Sequence, residues 1–348
     1  MREQKKSTCA NTCSNWFDNP KQDCKLKPRS TVENIAEIGS KKQPSEGASL
    51  DTFSLTGHKT PPTPQKDHSK SLEKRARSKW YTQKISGSLL YTNSKLHKYY
   101  QRAYYCNHTL TQKGGKIIGK YCNTRICNVC NRIRTAKLID GYLSQLTDKN
   151  LQFVTLTLPN VDKDELRLTI EKMQKDWRNM LRVFRTRRSK PINGIRKLEI
   201  TYNGIRDDYH PHFHLLVDGQ GEQIITEWLL RNQNSLRKAQ DVRDADKGSM
   251  MELFKYTTKI LASDNKKIVV YTDALDVIMR SMYRKRAFQP FGNIRKVSED
   301  VDDELDAQEV ESYEIIEWEW HEAGDWVDVD TGECLTGYVP PENEIDYR

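Results

Sequence analysis

The run His210-Pro211-His212-Phe213-His214-Leu215-Leu216-Val217 constrains this chain more than any other stretch. Read as a strand over 212–217, it sends His212 and His214 to one face and Phe213 and Leu215 to the other, because the side-chain period is two. Two imidazoles on one face of a strand make a natural pair of ligands for a divalent ion. The plain alternative is two ordinary histidines beside a core strand. Three of the chain's eight histidines fall within these five residues, and that concentration argues for a site. A neighbouring strand is predicted over Lys197 to Tyr202, and Asn203-Gly204 with Asp207-Asp208 supply turn chemistry. The pair therefore reads as an antiparallel hairpin with a long loop. Such a hairpin could carry Glu199 across from the histidines, and a carboxylate flanked by Leu198 and Ile200 needs a partner if it is buried. A solvent-facing Glu199 stays open as a reading. His210 is the rival third ligand, less suited because Pro211 places it at the loop edge.

The remaining elements predict the class of fold. Leu151 to Leu158 alternates and is β-branched, a strand ended by Pro159-Asn160. Leu166, Ile170, Met173, Trp177, Leu181 and Phe184 recur at helical spacing and form one apolar face of a long helix. Further helices are expected over Ser86 to Tyr99, Asn131 to Leu146, Thr226 to Lys238, Lys247 to Leu261 and Ala274 to Arg284. A last strand is expected within Arg286 to Lys296. Strands and helices mix without a βαβ rhythm, so the expectation is α+β, a central antiparallel sheet with flanking helices. No internal repeat is visible.

Two further clusters carry chemistry. On the helix containing Lys255-Tyr256-Thr257-Thr258-Lys259, Glu252, Tyr256 and Lys259 stand at i, i+4 and i+7, hence on one face. Together they make sense as base, nucleophile and neutraliser of phosphate charge, since a phenol with a pKa near 10 needs activation at neutral pH. Glu and Lys at such spacings are also common helix pairs. The second cluster is Cys106, Cys122, Cys127 and Cys130, a C-x15-C-x4-C-x2-C spacing suited to tetrahedral zinc. His108 could replace one cysteine. Zinc there would be structural and would pin the helix that follows, where Arg132, Arg134 and Lys137 could contact phosphates. Tyr104, Tyr105 and Tyr121 could stack on bases, although aromatics beside a small metal site more often pack.

Charge adds a partner. The formal net charge is +9, yet residues 297–348 hold nineteen Asp and Glu against one Arg. The preceding 296 residues therefore carry 56 Lys and Arg against 29 Asp and Glu. A body that basic calls for a polyanion, and nucleic acid is the usual one. No apolar run approaches the roughly 20 residues needed to span a bilayer. The basic start has no apolar segment behind it, so no secretory signal is read, and eight cysteines without one favour a reducing, cytoplasmic setting.

Three segments in order resemble the HUH endonuclease superfamily, and within it the rolling-circle replication initiators of small bacterial plasmids. They are Phe153-Val154-Thr155-Leu156-Thr157-Leu158, the histidine run, and the segment bearing Tyr256. The resemblance runs from about Cys106 to Lys296, and related initiators also carry a Cys-rich segment ahead of the first motif. It implies a metal-binding strand in the middle of the sheet, with the tyrosine helix alongside. It further implies that His212 and His214 hold Mg²⁺ or Mn²⁺, the imidazoles favouring Mn²⁺ on softness grounds. Tyr256 would attack the scissile phosphate, stay joined to the 5′ phosphate and release a 3′-OH that primes a host polymerase. Glu252 matches a Glu that in some relatives activates water for the terminating cut. A plasmid double-strand origin, a host helicase and a polymerase are the implied partners, and no membrane. With one tyrosine in the motif, a two-tyrosine strand exchange is not expected. The nearest rival is a transposase of the same superfamily. A non-catalytic zinc-dependent DNA-binding regulator is the alternative from another class, and it leaves the histidines and Tyr256 unexplained.

The expected organisation is a mostly disordered basic arm over 1–77, a Cys-rich zinc- and DNA-binding segment over 78–148, a catalytic domain over 149–296 and an acidic tail over 297–348. Cys9, Cys13 and Cys24 in the arm could form a second zinc site. The tail could fold back on the DNA groove, recruit a host protein or solubilise the chain.

Overall fold

The computed structural model describes residues 68–113, 116–146, 150–186, 191–254, 262–264, 267–301, 316–342 and 345–348. In chain order these form α1 (His68–Leu90), α2 (His97–Tyr104), β1 (Thr109–Lys113), β2 (Lys116–Gly119), α3 (Asn128–Leu146) and β3 (Gln152–Thr157). There follow α4 (Leu166–Thr186), β4 (Gly194–Asn203), β5 (Asp208–Val217), α5 (Gly221–Arg231), β6 (Asp241–Asp244) and α6 (Lys247–Phe254). The last are β7 (Ala262–Asp264), β8 (Lys267–Val270), α7 (Thr272–Met282), β9 (Phe288–Phe291), β10 (Ile316–Trp320), β11 (Trp326–Asp328) and β12 (Ile345–Tyr347). Most of the expected arm, including Cys9, Cys13 and Cys24, lies outside the described residues.

The histidine strand organises the main sheet. Its order is β6-β3-β5-β4-β9 with every pairing antiparallel, so β5 is the middle strand. The α+β class and the flanking helices agree with the sequence. The hairpin β4–β5 is tighter than expected: pairing continues to Asn203 opposite Asp208. Its turn closes because the Asn203 side chain accepts from the backbone N–H of Ile205 and Arg206, while Asp207 takes the left-handed conformation at φ 53° that Asp tolerates.

One sheet face is apolar and covered. Phe213 is fully buried and meets the rings of Trp177 on α4 and Trp228 on α5 edge-on at 6.3 and 5.9 Å. The core stripe of α4 is Leu166, Ile170, Met173, Trp177, Met180 and Phe184. Met180 takes the place expected for Leu181, which is only partly buried. A three-residue step after Trp177 holds the 3.6-residue period better than four. The opposite face carries the histidines. There Phe254, the last described residue of α6, stacks between Tyr142 and Phe288, each at 6.0 Å.

Several expected boundaries shift for local reasons. The described residues begin at His68, where α1 starts within the span assigned to the arm. The helix expected over Ser86 to Tyr99 is two helices, with Ser94 Oγ accepting the Leu96 N–H in the gap, a local bond that competes with helix continuation. Helix α5 stops at Arg231 rather than Lys238, where the Asn232 amide donates to the Trp228 carbonyl. The strand after α7 is only Phe288–Phe291, ended by Gly292 at φ 67°. Helix α6 is described to Phe254, and the rest of the expected helix, with Tyr256 and Lys259, lies outside the described residues.

The acidic stretch is not a free tail where it is described. Strand β10 pairs with β1 and β11 in a second sheet, order β11-β10-β1-β2. Trp318, Trp320 and Trp326 are buried there, and the Trp326 indole donates to the Asn107 carbonyl at 2.8 Å. Strand β12 runs parallel to β8. Thus these tryptophans are core residues of the Cys-rich region, with the acidic side chains spaced between them.

Candidate metal and nucleic-acid site

Register places the site. Glu199 stands directly opposite His212 across β4–β5, Lys197 opposite His214, and Thr155 and Thr157 of β3 flank the same two histidines. Opposed residues share a face, so one patch holds two imidazoles, one carboxylate, one ammonium and two hydroxyls. Glu199, His212 and His214 offer ligand atoms that all lie within 4.8 Å of one another. His214 Nε2 is 3.8 Å from Glu199 Oε2. His210 stands outside this trio: it contributes its carbonyl, 3.1 Å from His212 Nδ1, and its ring stacks on that of His212.

The tautomers suit a cation. With Nδ1–H of His212 donating to the His210 carbonyl, Nε2 keeps its lone pair for a ligand bond. His214 repeats the pattern, its Nδ1 3.2 Å from Thr155 Oγ1. Burial pushes the His212 imidazole down to about 4, so at neutral pH it is uncharged and able to coordinate. Burial alone would raise Glu199, yet the Lys197 ammonium at 2.6 Å holds its carboxyl below the usual range. A carboxylate and two imidazoles, all buried and within 4.8 Å of one another, form a donor set that fits one divalent ion. Lys197 is the residue that sequence reading missed. Its signal was present, since it lies two positions before Glu199 on the same face of a strand.

Beside the trio opens a cleft of about 310 Å³ lined by Phe153, Thr155, His214, Arg243, Asp246, Gly248, Ser249 and Glu252. One wall is the sheet, the other the first two turns of α6. Glu252 is half-buried there, on the cleft shared with His214. Tyr256 follows the described end of α6 by two residues.

The four cysteines meet as well. Cys106, Cys122, Cys127 and Cys130 are buried, with sulfurs within 4.8 Å of one another. Cys130 Sγ lies 3.7 Å from both Cys106 Sγ and Cys122 Sγ. These distances exceed a disulfide bond of about 2.0 Å. They match the roughly 3.8 Å that tetrahedral geometry with Zn–S near 2.3 Å demands. Backbone N–H groups of Cys122, Thr124 and Cys130 point at cysteine sulfurs, each at 3.4 Å. Hydrogen bonds from Cys106, Cys127 and Cys130 hold the Cys122 thiol far below its ordinary value. His108 stands apart, its Nε2 3.6 Å from Glu319.

The expected phosphate contacts divide. Arg132 and Lys137 are exposed on α3, Lys137 donating to the Asp300 carbonyl. Arg134 is 3 % exposed and donates to the Glu299 carbonyl, the Asn123 carbonyl and the Asn131 side chain. Its guanidinium therefore ties α3 to the chain after β9 instead of facing a ligand, a correction to the expectation for that residue. Among the three tyrosines, Tyr105 is exposed, while Tyr121 accepts a hydrogen bond from Arg75. Among the described residues no helix is long and apolar enough to cross a membrane.

Comparison with known proteins points the same way. The sequence profile of the family described as "Replication protein" matches residues 117–223. That span includes Cys122, Cys127, Cys130, Glu199, His212 and His214, and ends before Glu252. A "Protein rep" of Staphylococcus aureus is 41 % identical over 103 residues, covering 28 % of this chain and 44 % of the relative. A "Protein rep" of Streptococcus pneumoniae serotype 2 is 26 % identical over 192 residues, 48 % of this chain and 58 % of the relative. One from Bacillus sp is 32 % identical over 103 residues, 28 % of this chain and 33 % of the relative. The matched region thus spans less than two thirds of each of these relatives. No solved structure gives a significant match.

Proposed function

Because its central segment is related to Rep replication proteins, we propose that this chain initiates rolling-circle replication of a plasmid by nicking one strand at the origin. The observation that carries the reading is the convergence of Glu199, His212 and His214 on the middle strands of the sheet, beside a cleft that α6 closes. Glu199, His212 and His214 would hold a divalent ion, Mg²⁺ or Mn²⁺, which would supply polarisation of the scissile phosphate and stabilisation of its added charge. Thr155 and the His210 carbonyl fix the two imidazoles. Lys197 keeps Glu199 ionised.

The reacting group is the Tyr256 hydroxyl. Its oxygen bonds to phosphorus as the bond to the 3′ oxygen breaks, and the phenolic proton passes through solvent to the departing 3′ oxygen. The products are a 5′-phosphotyrosine and a free 3′-OH that primes synthesis by a host polymerase. Lys259 neutralises phosphate charge, and Glu252 activates the water, or its equivalent, in the terminating step. Cys106, Cys122, Cys127 and Cys130 hold a structural zinc that sets α3 against the nicking domain, with Arg132 and Lys137 on the strand's phosphates. The work is done in the cytoplasm.

The test is incubation of the full chain with end-labelled single-stranded origin DNA and Mn²⁺, followed by denaturing electrophoresis. A labelled protein band is expected for the wild type and none for Tyr256→Phe, with DNA binding by that variant unchanged. An adduct formed by the Phe variant would assign the nucleophile elsewhere. DNA binding with no adduct in the wild type would favour a zinc-dependent regulator.

A further inference from the structure

The cleft beside His214 is larger than a metal site needs, and its walls differ in character. On the sheet side the Arg243 guanidinium lies across the Phe153 ring, 4.6 Å from its centroid, and is anchored by Asp241 Oδ2 at 2.6 Å. The Phe153 ring in turn stands 5.2 Å from the His214 ring. On the helix side Asp246 presents its carboxylate. Its Oδ1 accepts from the Ser249 N–H and hydroxyl at 2.6 Å each, and the residue lines the cleft beside Gly248 and Ser249.

We propose that this cleft is a nucleobase subsite, taking one unstacked base of the substrate strand next to the scissile phosphate and preferring a guanine. The proposal rests on the nicking function above and specifies how its substrate is held. A volume of about 310 Å³ admits one base with its sugar and no more, at the small end of the roughly 300–1,000 Å³ common for ligand pockets. Arg243, backed by Phe153, offers a flat cationic face for stacking that every base can use. The Asp246 carboxylate that lines the cleft gives the discrimination. A carboxylate accepts and cannot donate. Guanine presents N1–H and the 2-amino group side by side, a matched donor pair. Thymine presents one N–H between two carbonyl oxygens that a carboxylate repels. The same carboxylate makes the pocket a poor phosphate site, so the phosphate is left to the side where His214 stands.

The experiment needs neither metal nor cleavage. Fluorescein-labelled dT12, and the same oligonucleotide with one central guanine, are titrated with the full chain in EDTA and followed by anisotropy. The guanine oligonucleotide is expected to bind roughly five- to tenfold tighter to the wild type, within the range of one base contact. Asp246→Asn keeps the helix cap, since Asn caps as well as Asp, and is expected to erase the guanine preference. Arg243→Ala is expected to weaken both oligonucleotides about tenfold. Equal binding of the two by the wild type, or a preference that survives in Asp246→Asn, overturns the subsite while leaving the nicking reading intact. Absence of binding to either oligonucleotide at low salt removes the DNA reading and the subsite with it. Failure to form the tyrosine adduct with the guanine preference intact removes the nicking chemistry alone.

Discussion

Two groups of ligand-bearing side chains lie in one chain and differ in almost every physical respect. The cysteine cluster draws four soft donors from loops and a helix start, is buried throughout, and receives backbone N–H groups from Cys122, Thr124 and Cys130. The Glu199–His212–His214 trio draws harder, mixed donors from paired central strands and opens on a cleft. A closed thiolate site holds structure together, whereas an open imidazole–carboxylate site leaves room for substrate. On the proposed reading the sheet has to survive without its ion, and the Cys-rich region does not.

The strongest way to break that contrast is Cys127→Ser. Cys127 is fully buried, and its substitution should remove bound zinc, measured by atomic absorption, and cost more than about 4 kcal/mol, the range reserved for loss of a metal or a core. His212→Ala, by contrast, should leave urea unfolding within about 1.5 kcal/mol of wild type while abolishing Mn²⁺ binding. Equal losses in the two variants would mean that both clusters are structural.

Next in size is Trp326→Ala. This indole is fully buried, meets Trp320 at 4.8 Å and donates to Asn107 beside Cys106. Truncation should cost about 3–5 kcal/mol and speed zinc loss to a chelator. A variant as stable as wild type would show that the acidic strands are an appendage and not part of the cysteine region.

The open site is sharpened by Thr155→Val, which removes the hydroxyl at His214 Nδ1 and keeps the shape. Mn²⁺ affinity by calorimetry should fall roughly 10–100-fold, the usual effect of losing a ligand's outer partner. EDTA should strip this ion within minutes and leave zinc in place. Unchanged affinity would mean that Thr155 does not orient the histidine.

How much of this was legible follows from periodicity. The histidine strand, its pairing with the Glu199 strand and the α4 stripe were readable because alternation and 3.6-residue spacing are local and the register is fixed by a short turn. Cysteine spacing named the right four residues for the same reason. Lys197 was overlooked because a lysine on a strand reads as solvent-facing, and only the position of β4 between β5 and β9 buries it. The acidic strands were unreadable for a related cause. Their alternation, Glu317, Trp318, Glu319, Trp320, is a strand pattern, but its partner β1 lies some 200 residues earlier, and composition drew attention to the charge instead. The cleft has no sequence signature, since it arises where α6 lies against the sheet.

The smallest effect separates two arginines that sequence placed together. Arg132 and Arg134 lie on one basic helix, yet the first is exposed and the second buried. Arg134→Ala strands the carbonyls of Glu299 and Asn123 and the Asn131 side chain, which should cost roughly 1–3 kcal/mol. It should leave the salt dependence of DNA binding as it was, because a guanidinium held inside releases no counterions from DNA. Arg132→Ala should do the reverse. Stability should stay within about 0.5 kcal/mol, as for most surface changes. The slope of log binding constant against log salt should become shallower by about 0.7–0.9, the contribution of one phosphate contact. Measurement needs only urea melts and anisotropy titrations at several salt concentrations on the same two variants. A shallower slope for Arg134→Ala would return that residue to the DNA surface. An unchanged slope for Arg132→Ala would take α3 off the path of the strand and leave the cysteine region a purely structural support.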